Sequence, residues 1–261
     1  KYSGPTGNWG YASNIVNVST NGAIEVNGGT LVNKTERITG VVRNGIDATN
    51  AYNKGTSVVV NGGTVNCETG YGIRLFANSK TALSYAEING GTVKGTYPIV
   101  VQTPSSLHSD VKVVINGGEF VGFVPWTGLS SKAIYIYRDA ACPTESCEEK
   151  DVEVQLNASL TVDDVSIDSY YNAAEHVNIR VPVSVTGEDA LKDAVSTGNN
   201  VNVTEDIVLT ADTVLATPKD GDVTINLNGN EIAYVAENSS TAYLLNVQGD
   251  VTVNGGRLEF D

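Results

Sequence analysis

The hydrophobic positions of this chain alternate with polar ones, and the alternation keeps breaking at the same phrase. Ile24-Glu25-Val26 runs into Asn27-Gly28-Gly29, and Val58-Val59-Val60 into Asn61-Gly62-Gly63. Ala86-Glu87-Ile88 precedes Asn89-Gly90-Gly91, and Val113-Val114-Ile115 precedes Asn116-Gly117-Gly118. A distant copy, Val251-Thr252-Val253, precedes Asn254-Gly255-Gly256. β-Branched residues at alternate positions favour a pleated strand with one face buried. Asn and Gly tolerate positive φ, so each Asn-Gly-Gly predicts a tight corner. Gly28, Gly62, Gly90 and Gly117 are the glycines expected to adopt it. Each corner leads into a second strand. A later apolar stretch (Gly40-Val41-Val42, Gly72-Ile73-Arg74-Leu75, Pro98-Ile99-Val100-Val101 or Ala133-Ile134-Tyr135-Ile136) predicts a third.

Asn27, Asn61, Asn89 and Asn116 succeed one another at intervals of 34, 28 and 27 residues. Recurrence at roughly 20–50 residues marks stacked repeats. About three short strands per repeat make one turn of a parallel β-helix. Stacking like on like puts the corner amides in register at about 4.8 Å, close enough to bond up the stack. Asn27, Asn61, Asn89, Asn116 and Asn254 are therefore expected to be structural corners that hold a ladder. Val152 to Leu156 followed by Asn157-Ala158-Ser159 predicts a decayed fifth repeat.

The character changes near Pro182. Gly187 to Val195 predicts a short helix over about 188–196, with Ala190, Leu191, Ala194 and Val195 on one face. Thr186 or Gly187 caps it, Glu188 and Asp189 suit its N-terminus, and Gly198 ends it. A short amphipathic helix of this kind covers the open end of a stack. The expected division is residues 1–182, late coils of a solenoid, and 183–261, the helix-capped start of a second stack. The tail repeats the head: Leu244-Leu245-Asn246-Val247 and Val251-Thr252-Val253 correspond to Ile15-Val16-Asn17-Val18 and Ile24-Glu25-Val26. Self-association head to tail, or neighbouring repeats of a longer chain, follows as an expectation.

The strand–corner pattern resembles the pectin-lyase-like right-handed parallel β-helix superfamily, in the form found in bacterial surface proteins, adhesins and phage fibres. The resemblance implies an all-β fold, a right-handed parallel β-helix, and covers most of the chain. It does not select a function, because the fold hosts lyases, hydrolases, adhesins and tail spikes alike.

Composition narrows the partners. A net charge of −14 over 261 residues argues against nucleic acid and anionic membrane surfaces. No apolar run approaches the roughly 20 residues of a membrane span. The sequence has no Met, which suggests a processed protein or a segment of a longer one. Cys142 and Cys147, in Cys-Pro-Thr-Glu-Ser-Cys, suit a small-loop disulfide in an oxidising, extracellular setting. The alternative is a metal pair, for which partner ligands are missing. Cys67 is expected to be a small buried core residue.

Chemistry is sparse. Asp163-Asp164 has no Asn-Thr-Asp, Gly-His-Gly or Arg-Ile-Lys beside it, so the superfamily's catalytic residues cannot be carried over. Asp163, Asp164 and Asp168 could take Ca²⁺ or form a solvated acidic edge; no other cofactor or metal is expected. His108 and His176 read as surface residues. Phe120, Phe123 and Trp126, with Tyr135 and Tyr137, are the candidate glycan-binding aromatics, since flat rings suit sugars. The competing reading packs the first group against the stack as a loop core. Tyr170 and Tyr171 extend the second group. The expected role is an extracellular structural or adhesive module of a surface protein or virion fibre, giving rigid length and display, with polysaccharide a possible ligand. A carbohydrate-active enzyme is the alternative.

Overall fold

A computed structural model of the chain describes residues 11–34, 41–50, 55–77, 82–103, 110–123, 132–138, 152–157, 160–167, 176–210, 215–217, 223–234 and 244–260. The chain divides into two compact units, Lys1–Ile179 and Arg180–Asp261. Both are parallel β-solenoids.

In the first unit the five strands that precede the corners form one six-stranded sheet together with Val177–Arg180, which crosses into the second unit. Ala23–Val26, Thr56–Val60, Ser84–Ile88, Val111–Ile115, Val152–Leu156 and Val177–Arg180 stack in that order. Their register aligns Val26, Val60, Ile88, Ile115 and Leu156 as one column and Val58, Ala86, Val113 and Val154 as another. All of these side chains are buried. Alternation sends every second residue inward, which is why Val59 and Glu87 face out while their neighbours form the core.

The strands after the corners differ from expectation in length. Thr64–Ala77 and Thr92–Thr103 each carry the second and third strands of a repeat in one continuous run. The chain bends within the run instead of breaking it, and the ladder shifts register between Cys67 and Tyr71. Gly70 lies in this bend, where a Cβ would strike the Arg43 carbonyl. Beyond the bend, Ile46, Ile73, Ile99 and Ile134 are aligned rung to rung and fully buried.

The corners correct one expectation. Positive φ falls on the second glycine: Gly29 at 79°, Gly63 at 83°, Gly91 at 82° and Gly118 at 103°. The backbone explains the delay. Asn61 and Gly62 N–H both donate to Val26 O, at 2.8 and 3.2 Å, so the first glycine still bonds to the rung below. The reversal comes one residue later, and Thr64 N–H then donates to Gly29 O at 2.8 Å.

The corner side chains form a continuous ladder. Asn61 Nδ2 donates to Asn27 Oδ1, Asn89 to Asn61, Asn116 to Asn89 and Asn157 to Asn116, each at 2.8 Å. Asn157 thus holds a corner position although Gly-Gly is absent after it. Asn89→Ala removes one donated and one accepted bond, and should cost about 1–2 kcal/mol in urea unfolding. Asn27→Ala breaks one rung only and should cost about half as much.

The second unit has shorter coils. Val183–Val185, Val201–Val203, Val223–Asn226 and Val251–Asn254 form one sheet, and Ile207–Leu209, Glu231–Tyr234 and Arg257–Phe260 another. Leu215–Ala216 pairs with Leu245–Asn246. A second ladder runs through Asn202, Asn226 and Asn254, with Nδ2–Oδ1 distances of 3.0 Å. The corner that follows Leu227 uses Asn228 and Gly229, both at positive φ.

The helix spans Glu188–Ser196 and packs Leu191, Ala194 and Val195 into the core of the second unit. Ala190 is exposed, so the buried face is narrower than expected. Gly187 is the N-cap and makes no side-chain bond; Glu188 instead accepts from Thr210 Oγ1 at 2.9 and 3.0 Å. The helix contacts Leu215–Ala216, Val183–Val185, Val201–Val203 and Ile207–Leu209; Val183–Val185 and Ile207–Leu209 end their sheets, so the helix covers apolar residues there.

Candidate functional site

The third strands of the first unit turn one row of side chains away from the isoleucine core, each adjacent to a buried isoleucine, and Asp47 and Val100 of this row are themselves buried. Asp47 follows Ile46, Arg74 follows Ile73, Val100 follows Ile99 and Tyr135 follows Ile134, and the four are stacked in register. Opposite charges on adjacent rungs make an ion pair, Arg74 Nη1 to Asp47 Oδ2 at 3.1 Å, with side chains only 12% and 5% exposed. Arg74 Nε donates to Gln102 Oε1 at 2.6 Å, and its guanidinium lies 4.5 Å from the Phe76 ring centroid. Asp47 accepts further bonds from Asn14, Asn44 and Thr49 at 2.9, 3.2 and 3.2 Å. Both carboxylate oxygens are thus engaged by neighbouring side chains within the structure.

Beside this network runs a row of tyrosines. Tyr97 and Tyr135 stack at 4.6 Å between centroids, Tyr135 and Tyr137 at 5.1 Å, and Tyr71 tilts towards Tyr97 at 6.4 Å. The rings are half-buried, and burial pushes the Tyr97 hydroxyl above its ordinary pKa. Tyr135 has a ring on each side, so its faces are taken by neighbours. The Tyr135 ring is therefore engaged by its neighbours and does not offer the open face on which a sugar packs.

The other expected aromatics separate. Phe120 is aligned with Val93, which is aligned with Val65 and Leu31, so its ring continues a core column. Phe123 is half-buried, and its N–H bonds Gly95 O at 2.8 Å. Trp126, Tyr170 and Tyr171 lie outside the described residues, as do Cys142, Cys147, His108 and Asp168. Asp164 caps the turn Val162–Asp164 by accepting from Thr161 N and Oγ1 at 2.8 and 3.0 Å. Asp163 is exposed, and its carbonyl accepts from Lys132 Nζ. Among the described residues no three His, Cys, Asp or Glu converge as a metal would need. His176 is half-buried beside Val177–Arg180.

Cys67 is buried beside the bend. Burial raises its thiol pKa to about 11, against a smaller opposing pull from Arg43 and the backbone of Gly70 and Thr69. The folded chain therefore holds this proton more tightly than the unfolded chain, whose thiol ionises near 9.0. Stability from this group is full below pH 9 and falls as pH rises towards 11. With Cys142 and Cys147 replaced by Ser, Cys67 should resist a thiol reagent at pH 8 until urea unfolds the chain.

The sequence reading missed Asp47, Arg74, Gln102 and Tyr97. Aligning the repeats on Ile46, Ile73, Ile99 and Ile134 would have put Asp47 beside Arg74 one rung apart. On the second unit, Arg257 pairs with Glu259 and, at 3.8 Å, with Glu231. The hydrogen bond between the two carboxyls raises the pKa of Glu231 and lowers that of Glu259. Comparison with known proteins gave no match to a family, to a curated protein or to a solved structure.

Proposed function

We propose that the chain is an extracellular structural and adhesive module, a β-solenoid of the pectin-lyase-like type carried by a surface protein or virion fibre. One observation carries the reading. The most repeated polar residues, the corner asparagines, bond to one another up the stack instead of converging on a cleft. Polar groups used this way give length and rigidity, since each rung adds about 4.8 Å and repeats the same contacts. The tyrosine row supports display: half-buried rings on three successive rungs form an aromatic strip, a surface type that suits a polysaccharide. The test pairs a glycan array with a turnover screen on acidic and neutral polysaccharides, with and without Ca²⁺. The expected result is glycan retention that weakens in Tyr137→Phe, and no released product. Turnover lost in Asp163→Asn or Asp164→Asn would replace this reading with that of a carbohydrate-active enzyme.

A further inference from the structure

We propose that the strand edge formed by Val251–Asn254 and Arg257–Phe260 of one copy docks on the edge formed by Ala23–Val26 and Thr30–Val32 of a second copy of this chain, joining their asparagine ladders. Among the described residues these are edge strands. Ala23–Val26 ends the six-stranded sheet, Val251–Asn254 ends its own sheet, and Arg257–Phe260 ends a three-stranded one. Each edge presents backbone N–H and C=O groups that the next rung would pair.

Three features select a second copy in one orientation. The first is pattern. Aligned on Asn254 and Asn27, the inward residues Val251, Val253 and Leu258 fall on Ile24, Val26 and Leu31. The core columns would continue aliphatic on aliphatic. The second is exposure. Val253 is 39% and Leu258 42% exposed, although the residues one rung earlier, Ile225 and Ile232, are buried. Ile24 and Leu31 are half-buried against the core of the first unit and complete the opposite face.

The third is the polarity of the ladder. In both units the later asparagine donates Nδ2 to the Oδ1 of the earlier one. Asn254 donates to Asn226 and presents Oδ1 onward; Asn27 accepts from Asn61 and presents Nδ2 outward. A tail-on-head junction therefore brings an acceptor to a donor and keeps the strands parallel. A head-on-head junction brings donor to donor and reverses the strands. A head-to-tail contact that does not close into a ring propagates as a filament.

Two measurements test this on the whole chain. Light scattering of the unaltered protein should show a mass that rises past the dimer with concentration, and Leu258→Glu should return it to the monomer with its circular dichroism unchanged. In a background with Cys67, Cys142 and Cys147 replaced by Ala, chains carrying Glu25→Cys are mixed with chains carrying Thr252→Cys. Neighbouring parallel rungs lie about 4.8 Å apart, within disulfide reach. Mild oxidation should then give the mixed pair in about tenfold excess over either like pair, the equivalent of about 1.4 kcal/mol. A monomer at every concentration, or like pairs as abundant as mixed ones, would overturn the proposal.

Discussion

Gly91→Val should be among the most destabilising single changes at a corner, lowering the unfolding free energy by about 3 kcal/mol or more. Two costs combine. Gly91 has φ of 82°, a region that a β-branched residue enters only with strain. A Cβ there would also lie 2.6 Å from Gly63 O and 2.8 Å from the Gly62 carbonyl carbon, both backbone atoms of the rung below. Backbone in a stacked rung cannot withdraw without disturbing its own ladder. Gly29 separates the two terms. Its φ is 79°, but nothing lies within 4 Å of a Cβ built on it. Gly29→Val should therefore cost the conformational part alone, about 1–2 kcal/mol. Urea unfolding with an unchanged m-value gives both numbers. Equal losses at the two positions would show that the rungs do not crowd one another at the corner.

Arg74→Ala should cost roughly 3–5 kcal/mol, because it leaves the Asp47 carboxylate enclosed without its cation. The Asp47 side chain is 5% exposed, so water does not readily replace the guanidinium. The substitution also strips a donor from Gln102 and the cation from the Phe76 ring. Asp47→Leu combined with Arg74→Leu should recover most of the loss, since an apolar pair removes the uncompensated charge altogether. A double-mutant cycle on urea midpoints measures the coupling. Additive losses would mean that the two residues do not act as a pair.

The architecture was readable because every rung meets the same neighbours. Val60, Ile88 and Ile115 face identical environments, so the same alternation recurs, and Asn-Gly-Gly marks each return. Details set by contact between rungs were not readable. Whether Gly28 or Gly29 takes the left-handed backbone depends on where the first glycine's N–H bonds below it, and adjacent glycines carry no mark of that. The fusion of two strands in Thr64–Ala77 likewise depends on packing at the bend near Gly70. Asp47 and Arg74 lie 27 residues apart across loops of unequal length, so their pairing emerges only after the rungs are aligned. The aromatic-rich stretch that Phe120 opens allows either a binding surface or a loop packed on the stack, and only its register with Val93 places it against a core column. Of the tyrosine row, Tyr135 and Tyr137 are visible in the sequence as a pair, whereas Tyr71 and Tyr97, and the stacking of Tyr97 and Tyr137 on Tyr135, emerge only from the rungs.

The repeated asparagines hold the stack rung to rung. The most direct test is the nuclear Overhauser pattern of their side-chain amides in isotopically labelled protein. Asn89 Nδ2–H should show cross-peaks to Asn61, 28 residues away, and Asn116 Nδ2–H to Asn89, 27 residues away. The same amides should exchange slowly with solvent despite lying near the surface. Cross-peaks confined to residues near in sequence, with fast exchange at all corner amides, would contradict the ladder and the stacked account built on it.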